Sequence, residues 1–324
     1  MSSVVDLLER RQIGLYLFAL ALGAAVGLSF PAVAGAAEFA INPVLGLLLY
    51  ATFLGVPFGK IGEALRDWRF LTTVFVVNFV IVPGVVFILS RVVAHDQVLL
   101  VGVLFVLLTP CIDYVIVFTG LAAGASDRLL AAAPLLMLAQ MLLLPVYLLA
   151  FVGGDFVDSV DLTPFAEAFA VLIVLPLVAA GLTQLAAAKT RWGRPVVDGA
   201  LSMMVPLMML TLAVVVASQI SGVGRELGAL LLVVPVYVAF AAIMVPIGAT
   251  AARVAKLDVA ARRAVVFSGA TRNSLVVLPL ALALPAGFEL APLVVVTQTL
   301  IELVAMVIFV RLIPRLIRDP VTHR

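Results

Sequence analysis

Six side chains carry chemistry at positions where water is scarce: Cys111, Asp113, Arg272, Asn273, Ser274 and Glu302. Arg272 lies in the apolar stretch Phe267 to Leu284 of a chain that is 65% hydrophobic and only 12% charged. A guanidinium near mid-bilayer costs about 2.5–3.5 kcal/mol on insertion scales, so it must face a partner or a water-filled cavity. Asp113, which also lies near the middle of an apolar run, is its expected partner. Arg272 keeps its proton permanently; it can hold an anion or stand where a cation would otherwise bind. A carboxyl can carry a proton across, which makes Glu302 the first candidate for proton coupling and Asp113 the second. Asn273 and Ser274, beside Arg272, are candidate substrate ligands. Cys111 offers a soft thiol, although a lone cysteine is also a common small buried residue. Asn78 reads first as a hydrogen bond between helices.

The elements that position these groups follow from hydropathy. Apolar runs long enough to cross about 30 Å of hydrocarbon as helices occur at 13–33, 41–58, 70–90, 98–122, 129–152, 164–187, 199–220, 227–251, 263–284 and 290–313. The expectation is an all-α integral membrane protein of ten transmembrane helices. Positive charge supports that count, because cytoplasmic segments retain Lys and Arg. Of the twenty Lys and Arg residues, seventeen fall in alternate connections and the two ends; only Arg91 and Arg225 fall in the opposite set, and Arg272 lies within a span. Both termini are therefore expected in the cytoplasm, with the chain in the cell (inner) membrane. The alternative that Arg10, Arg11 and the run to Phe30 form a cleaved secretory signal is disfavoured, because the run is longer than a usual signal core.

Internal repetition organises the spans. A shift of 158 residues lays Ala133-Pro134-Leu135 over Ala291-Pro292-Leu293 and Gln140 over Gln298; a slightly different offset lays Gly27-Leu28 over Gly181-Leu182. Five spans per half is an odd number, so residues 1–152 and 153–324 are expected to form inverted five-helix repeats, an arrangement typical of transporters. The same shift superposes Thr109–Tyr114 in the fourth span on Phe267–Arg272 in the ninth. Pro110 removes one helical hydrogen bond and Gly269 weakens the helix, which predicts that helices four and nine are broken and cross at a binding site. Gly23 and Gly27 predict a close helix–helix approach. The remaining prolines of the spans read as kinks.

Several function classes are excluded or disfavoured. No basic soluble module exists to bind nucleic acid, and no Gly-rich phosphate loop followed by Lys appears. One cysteine, with His95 and His323 in a loop and the tail, supports neither a metal site nor an intrachain disulfide. No cofactor is expected, and the chain is not expected to be an enzyme.

With its polar breaks in spans four and nine, the chain resembles the bile acid/sodium symporter superfamily along essentially its whole length. Within it, Pro110-Cys111-Ile112 followed by Val115, the Asn273 segment and Glu302 look like the arsenical resistance permeases. That resemblance implies roles for Cys111 in arsenite transport and for Glu302 beside it. It also implies a core domain of helices 3–5 and 8–10 moving against a panel of helices 1, 2, 6 and 7. Sodium-coupled relatives place Glu and Gln in the ninth span where this chain has Ser268 and Arg272, which favours protons over sodium. Arsenite permeases usually have apolar residues where Asp113 and Tyr114 follow Ile112. The expected function is export of arsenite or antimonite by proton antiport. The alternative is sodium- or proton-coupled movement of an organic anion, bile-acid-like or a small carboxylate or sulfonate, held by Arg272.

Overall fold

The computed structural model describes residues 3–30, 32–55, 61–112, 114–153, 167, 170–189, 193–282, 284 and 287–318. Among them the secondary structure is helical, with one isolated β-bridge and no strand. The helices, in chain order, are α1 (Ser3–Ser29), α2 (Val33–Gly55), α3 (Ile61–Arg66), α4 (Trp68–Val76), α5 (Val82–Ser90), α6 (Gln97–Leu107), α7 (Tyr114–Leu121) and α8 (Ser126–Val152). They continue as α9 (Leu175–Lys189), α10 (Gly193–Ser202), α11 (Met204–Val254), α12 (Val259–Ala270), α13 (Ser274–Leu282) and α14 (Ala291–Leu316). A π-helical turn, Val77–Ile81, joins α4 to α5, and such turns often mark functional positions. Asn78 lies in it.

Five segments are long and apolar enough to cross a membrane: Val33–Gly55, Trp68–Val93, Ser126–Val152, Leu227–Val254 and Ala291–Leu316. The bent pair Gly193–Ser202 and Met204–Ser218 makes a sixth. Large apolar side chains such as Phe39, Leu142 and Ile88 stand exposed on these helices, 70–85% accessible. Water would penalise such surface and lipid does not. One expectation differs from the structure. Hydropathy divides 199–220 from 227–251, whereas α11 is helical straight through residues 221–226. Polarity reports the solvent, not the backbone, and the glycines there cost a helix only about 1 kcal/mol each.

The chain divides into two compact units, Met1–Val56 with Thr163–Gly228, and Pro57–Leu162 with Ala229–Arg324. In the first, α2 is held to α9 by the Tyr50–Thr183 hydroxyl pair at 2.8 Å and by Gln184 Nε2 donating to Leu54 O at 3.0 Å. Gly23 and Gly27 pack as expected: a Cβ on either would come within 2.5 Å of the carbonyl of Ala213 or Ala217 on α11. Any side chain there must push the two helices apart.

The second unit carries the candidate residues. Asp67, Asp96 and Asp258 cap α4, α6 and α12, each accepting from main-chain N–H groups of the first turn. The guanidinium of Arg128, at the start of α8, bridges Asp67 at 3.2 Å and Asp258 at 2.7 Å, tying three helix starts together. Partial burial pushes the Asp258 carboxyl up, but the Ala261 N–H and Arg128 outweigh it and hold it below the usual carboxylate range. Arg263 ties helix ends instead: its guanidinium donates to Ile317 O at 2.8 Å and to the carbonyls of Ala122 and Ala123 at 3.2 Å. Inside, α6 meets α14 so closely that a Cβ on Gly102 would overlap Val294.

Candidate functional site

The site is built from two helix breaks. Pro110 has no N–H, so the ladder of α6 stops at Leu107, while Thr109 turns its hydroxyl back on the carbonyls of Phe105 and Val106 at 3.0 and 3.1 Å. On the other side α12 ends at Ala270 and Thr271 adopts an extended conformation. Main-chain groups freed inside a membrane protein must find partners. Here each break supplies the other: Pro110 and Arg272 form the antiparallel bridge, Asn273 N donates to Thr109 O at 2.8 Å, and Cys111 N donates to Thr271 O at 3.3 Å. Cys111, Thr271, Arg272, Asn273 and Ser274 are all buried. Asp113 lies outside the described residues.

Arg272 is fully buried, and among the described residues the groups that accept from its guanidinium are neutral. Nη2 donates to Asn78 Oδ1 at 2.7 Å, Ser268 O at 2.8 Å and Gly269 O at 2.9 Å; Nη1 reaches Leu107 O at 3.4 Å. Ser268 and Gly269 are in the last turn of α12, and Leu107 ends α6. Each helix C-terminus carries roughly half a negative elementary charge, so two of them facing one guanidinium nearly match its charge. The ring of Phe240, 5.4 Å from Cζ, adds a favourable face. Asn78 completes the seat, donating from Nδ2 to Ser268 Oγ at 2.9 Å and to Val74 O at 3.0 Å. Its sequence-based role as an interhelical hydrogen bond agrees with this placement.

Glu302, on α14, is 3% exposed. Its Oε2 accepts from the main-chain N–H of Arg272 at 2.7 Å and from Gln298 Nε2, and its Oε1 from the Tyr114 hydroxyl. Glu302 looked remote from any fixed cation in sequence; in space it is bonded to the Arg272 main chain. The structure thus brings Arg272, Glu302 and the Cys111 main chain to one crossing. Tyr114 is the residue that sequence reasoning passed over, although the 158-residue shift lays it on Arg272, whose carbonyl accepts from its hydroxyl at 3.1 Å.

Unfilled polar capacity remains nearby. Asn273 Oδ1 caps α13 by accepting from Val276 N at 3.2 Å, while Asn273 Nδ2, Ser274 Oγ, Arg272 Nε and Gln298 Oε1 are buried with no partner among the described residues. Gln140, the repeat counterpart of Gln298, is 1% exposed with neither amide atom bonded among the described residues. Buried groups of this kind need water or a ligand. Among the described residues no three His, Cys, Asp or Glu side chains gather closely enough to hold a metal.

Residues 42–229, more than half the chain, match the sodium bile acid symporter family. That stretch includes Cys111 and ends before Arg272 and Glu302. No curated protein matches the chain. Multiple apolar helices, breaks that satisfy one another in the interior and a family match of this extent agree: the chain is a multi-pass membrane protein of the sodium bile acid symporter family, whose members are ion-coupled transporters.

Proposed function

We propose that the chain is a proton-coupled secondary transporter that exports arsenite or antimonite. The seat of Arg272 carries this reading. In transporters with broken helices, unwound carbonyls and half-helix C-terminal ends hold the coupling cation. Here a tethered guanidinium fills such a position, bonded to Leu107 O, Ser268 O, Gly269 O and Asn78 Oδ1. A sodium ion has no place beside it, and the movable charge becomes the proton of Glu302, with Asp113 as the second carrier.

Cys111, buried at the crossing, suits a soft metalloid. Arsenous acid is neutral at physiological pH; its arsenic forms one bond to the Cys111 sulfur as the thiol proton and one hydroxide leave together as water. Hydrolysis reverses the step and releases the solute, which a three-thiol cage would retain. Asn273 Nδ2 and Ser274 Oγ remain available for the arsenic hydroxyls. Everted vesicles test the assignment: arsenite uptake should follow an imposed pH gradient without sodium, and Cys111→Ser should lower it at least about tenfold, or ~1.4 kcal/mol. Sodium-dependent uptake, or unchanged uptake by Cys111→Ser, overturns it. The Nε of Arg272, without a partner among the described residues, favours a second reading, an organic anion such as a carboxylate or sulfonate held by Arg272 with Asn273 and Ser274. Taurocholate and small carboxylates in the same vesicles decide between them.

In this arrangement ten spans form inverted repeats, 1–152 and 153–324, with broken helices four and nine crossing. It is supported by the apolar runs, the charge segregation and the paired breaks at α6–α7 and α12–α13. The compact unit of Pro57–Leu162 and Ala229–Arg324 would be the core and the other the panel. At 1.5 Å per residue a straight α11 would reach about 77 Å, far beyond one hydrocarbon thickness, so the ten-span arrangement requires that helix to break near residues 221–226 when the protein is in the membrane. In a Cys111→Ser background, an impermeant maleimide applied to intact cells should label Gly222→Cys and spare Arg253→Cys. The opposite pattern sinks the inner-membrane topology with both termini cytoplasmic.

A further inference from the structure

The hydrogen bonds around Glu302 define more than a proton site, and their further role rests on Glu302 being the proton carrier. Oε2 already receives two donors, Arg272 N–H and Gln298 Nε2. A proton on the carboxyl must therefore reside on Oε1, which faces the Tyr114 hydroxyl. That hydroxyl stands within reach of two acceptors, Glu302 Oε1 and Arg272 O at 3.1 Å, and a phenol has one proton to donate. With Glu302 ionised, the carboxylate is the stronger acceptor and takes it. With Glu302 protonated, the acid donates to the phenol oxygen, and the phenol proton turns to the Arg272 carbonyl.

We propose that Tyr114 is the coupling residue of this transporter, converting protonation of Glu302 into gain or loss of a hydrogen bond at the main chain of the ninth-span break. Tyr114 begins α7, directly after the other break, so one hydroxyl rotation is felt at both. Arg272 is gripped at both main-chain groups: its N–H by Glu302 in either state, its C=O by Tyr114 only when Glu302 is protonated. The crossing is therefore bonded more fully in the protonated state.

Other polar and charged groups surround Glu302, and the charge of the Arg272 guanidinium acts on it. Among the described residues the Arg272 guanidinium donates to Asn78 and the helix ends, and the Tyr237 hydroxyl donates to Val294 O at 3.0 Å. Cys111 lies in the fourth-span break, and Asp113 precedes Tyr114 in sequence. Tyr237, Phe240, Ala270, Gln298 and Glu302 line a small enclosed cavity with room for about one water. A water there would stand beside Glu302 and Gln298, whose Oε1 has no partner among the described residues.

Infrared difference spectra of the full-length protein in proteoliposomes, with ring-labelled tyrosine, test the relay alongside arsenite flux. A carboxylic-acid band absent from Glu302→Gln should titrate in the wild type. A tyrosine band should change over the same pH interval and be lost in both Tyr114→Phe and Glu302→Gln. Arsenite exchange at equal concentrations should remain within about threefold in Tyr114→Phe, whereas gradient-driven accumulation falls by about tenfold or more. A Glu302 band that titrates while the tyrosine band stays still overturns the relay alone, a result needing no Tyr114 variant. Wild-type accumulation by Tyr114→Phe does the same. Absence of any Glu302-dependent band, together with flux indifferent to the pH gradient, removes the parent reading and the relay with it.

Discussion

Glu302→Gln is expected to leave arsenite exchange running and to abolish its accumulation against a gradient. A glutamine reproduces the protonated acid: its carbonyl accepts from Arg272 N–H and Gln298 Nε2, and its amide N–H donates to the Tyr114 oxygen. The substitution removes only the exchangeable proton, so folding and solute binding should persist. Exchange of one proton for one neutral solute moves one charge. Each pH unit then contributes tenfold, about 1.4 kcal/mol, and each 100 mV about 2.3 kcal/mol. With one pH unit and 100 mV, wild-type vesicles can reach an accumulation on the order of a few hundredfold, against about one for the variant. Measured steady-state ratios check this directly. A glutamine variant that still concentrates arsenite removes Glu302 from the coupling step and leaves Asp113 as the carboxyl to examine.

Which parts of this site were legible in the sequence has a physical explanation. Arg272 and Glu302 stand out because a charge in an apolar run needs a reason, and Pro110 announces a break because it lacks the donor a helix requires. Gly23 and Gly27 gave a close approach because only the smallest residue permits one. The partners of Arg272 were not legible. They are carbonyls of Leu107, Ser268 and Gly269, and every residue owns a carbonyl; only the fold decides which helix ends meet. Tyr114 and Tyr237 escaped notice for another reason. An aromatic ring fits an apolar run, and its hydroxyl alters the hydropathy too little to be noticed. The helical course of residues 221–226 was missed because a polar run marks where lipid ends and says nothing about whether the helix continues.

The two breaks also explain why the site can be both buried and mobile. Their main-chain groups are satisfied across the crossing, by Asn273 N on Thr109 O and Cys111 N on Thr271 O, not within one helix. Such bonds hold the halves in register, yet they are few, and each can be exchanged for water or solute at a net cost of about 1 kcal/mol. A site that must open in turn to either side needs bonds of that strength at its centre. Arg272 adds stronger, charge-assisted bonds, which fasten the ends of α6 and α12 together.

Arg272→Ala is expected to make the stability of the protein respond to sodium. Removing the guanidinium leaves Asn78 Oδ1, Ser268 O, Gly269 O and Leu107 O converging on an empty volume at two helix C-termini. Each buried acceptor left without a donor costs about 1–3 kcal/mol, so the variant should unfold at markedly lower temperature than the wild type. An oxygen cage facing two negative helix ends is a fitting place for a monovalent cation. Sodium at ten times its dissociation constant should then restore about 1.4 kcal/mol, and added guanidinium should restore stability by refilling the seat. Arg272→Lys should fall between, because one ammonium offers three donors without the planar spread of the guanidinium. Thermal unfolding of the three proteins with sodium, with choline and with low guanidinium reads the effect. A wild type stabilised by sodium, or an alanine variant indifferent to both cations, contradicts the idea that this side chain stands in for a bound ion.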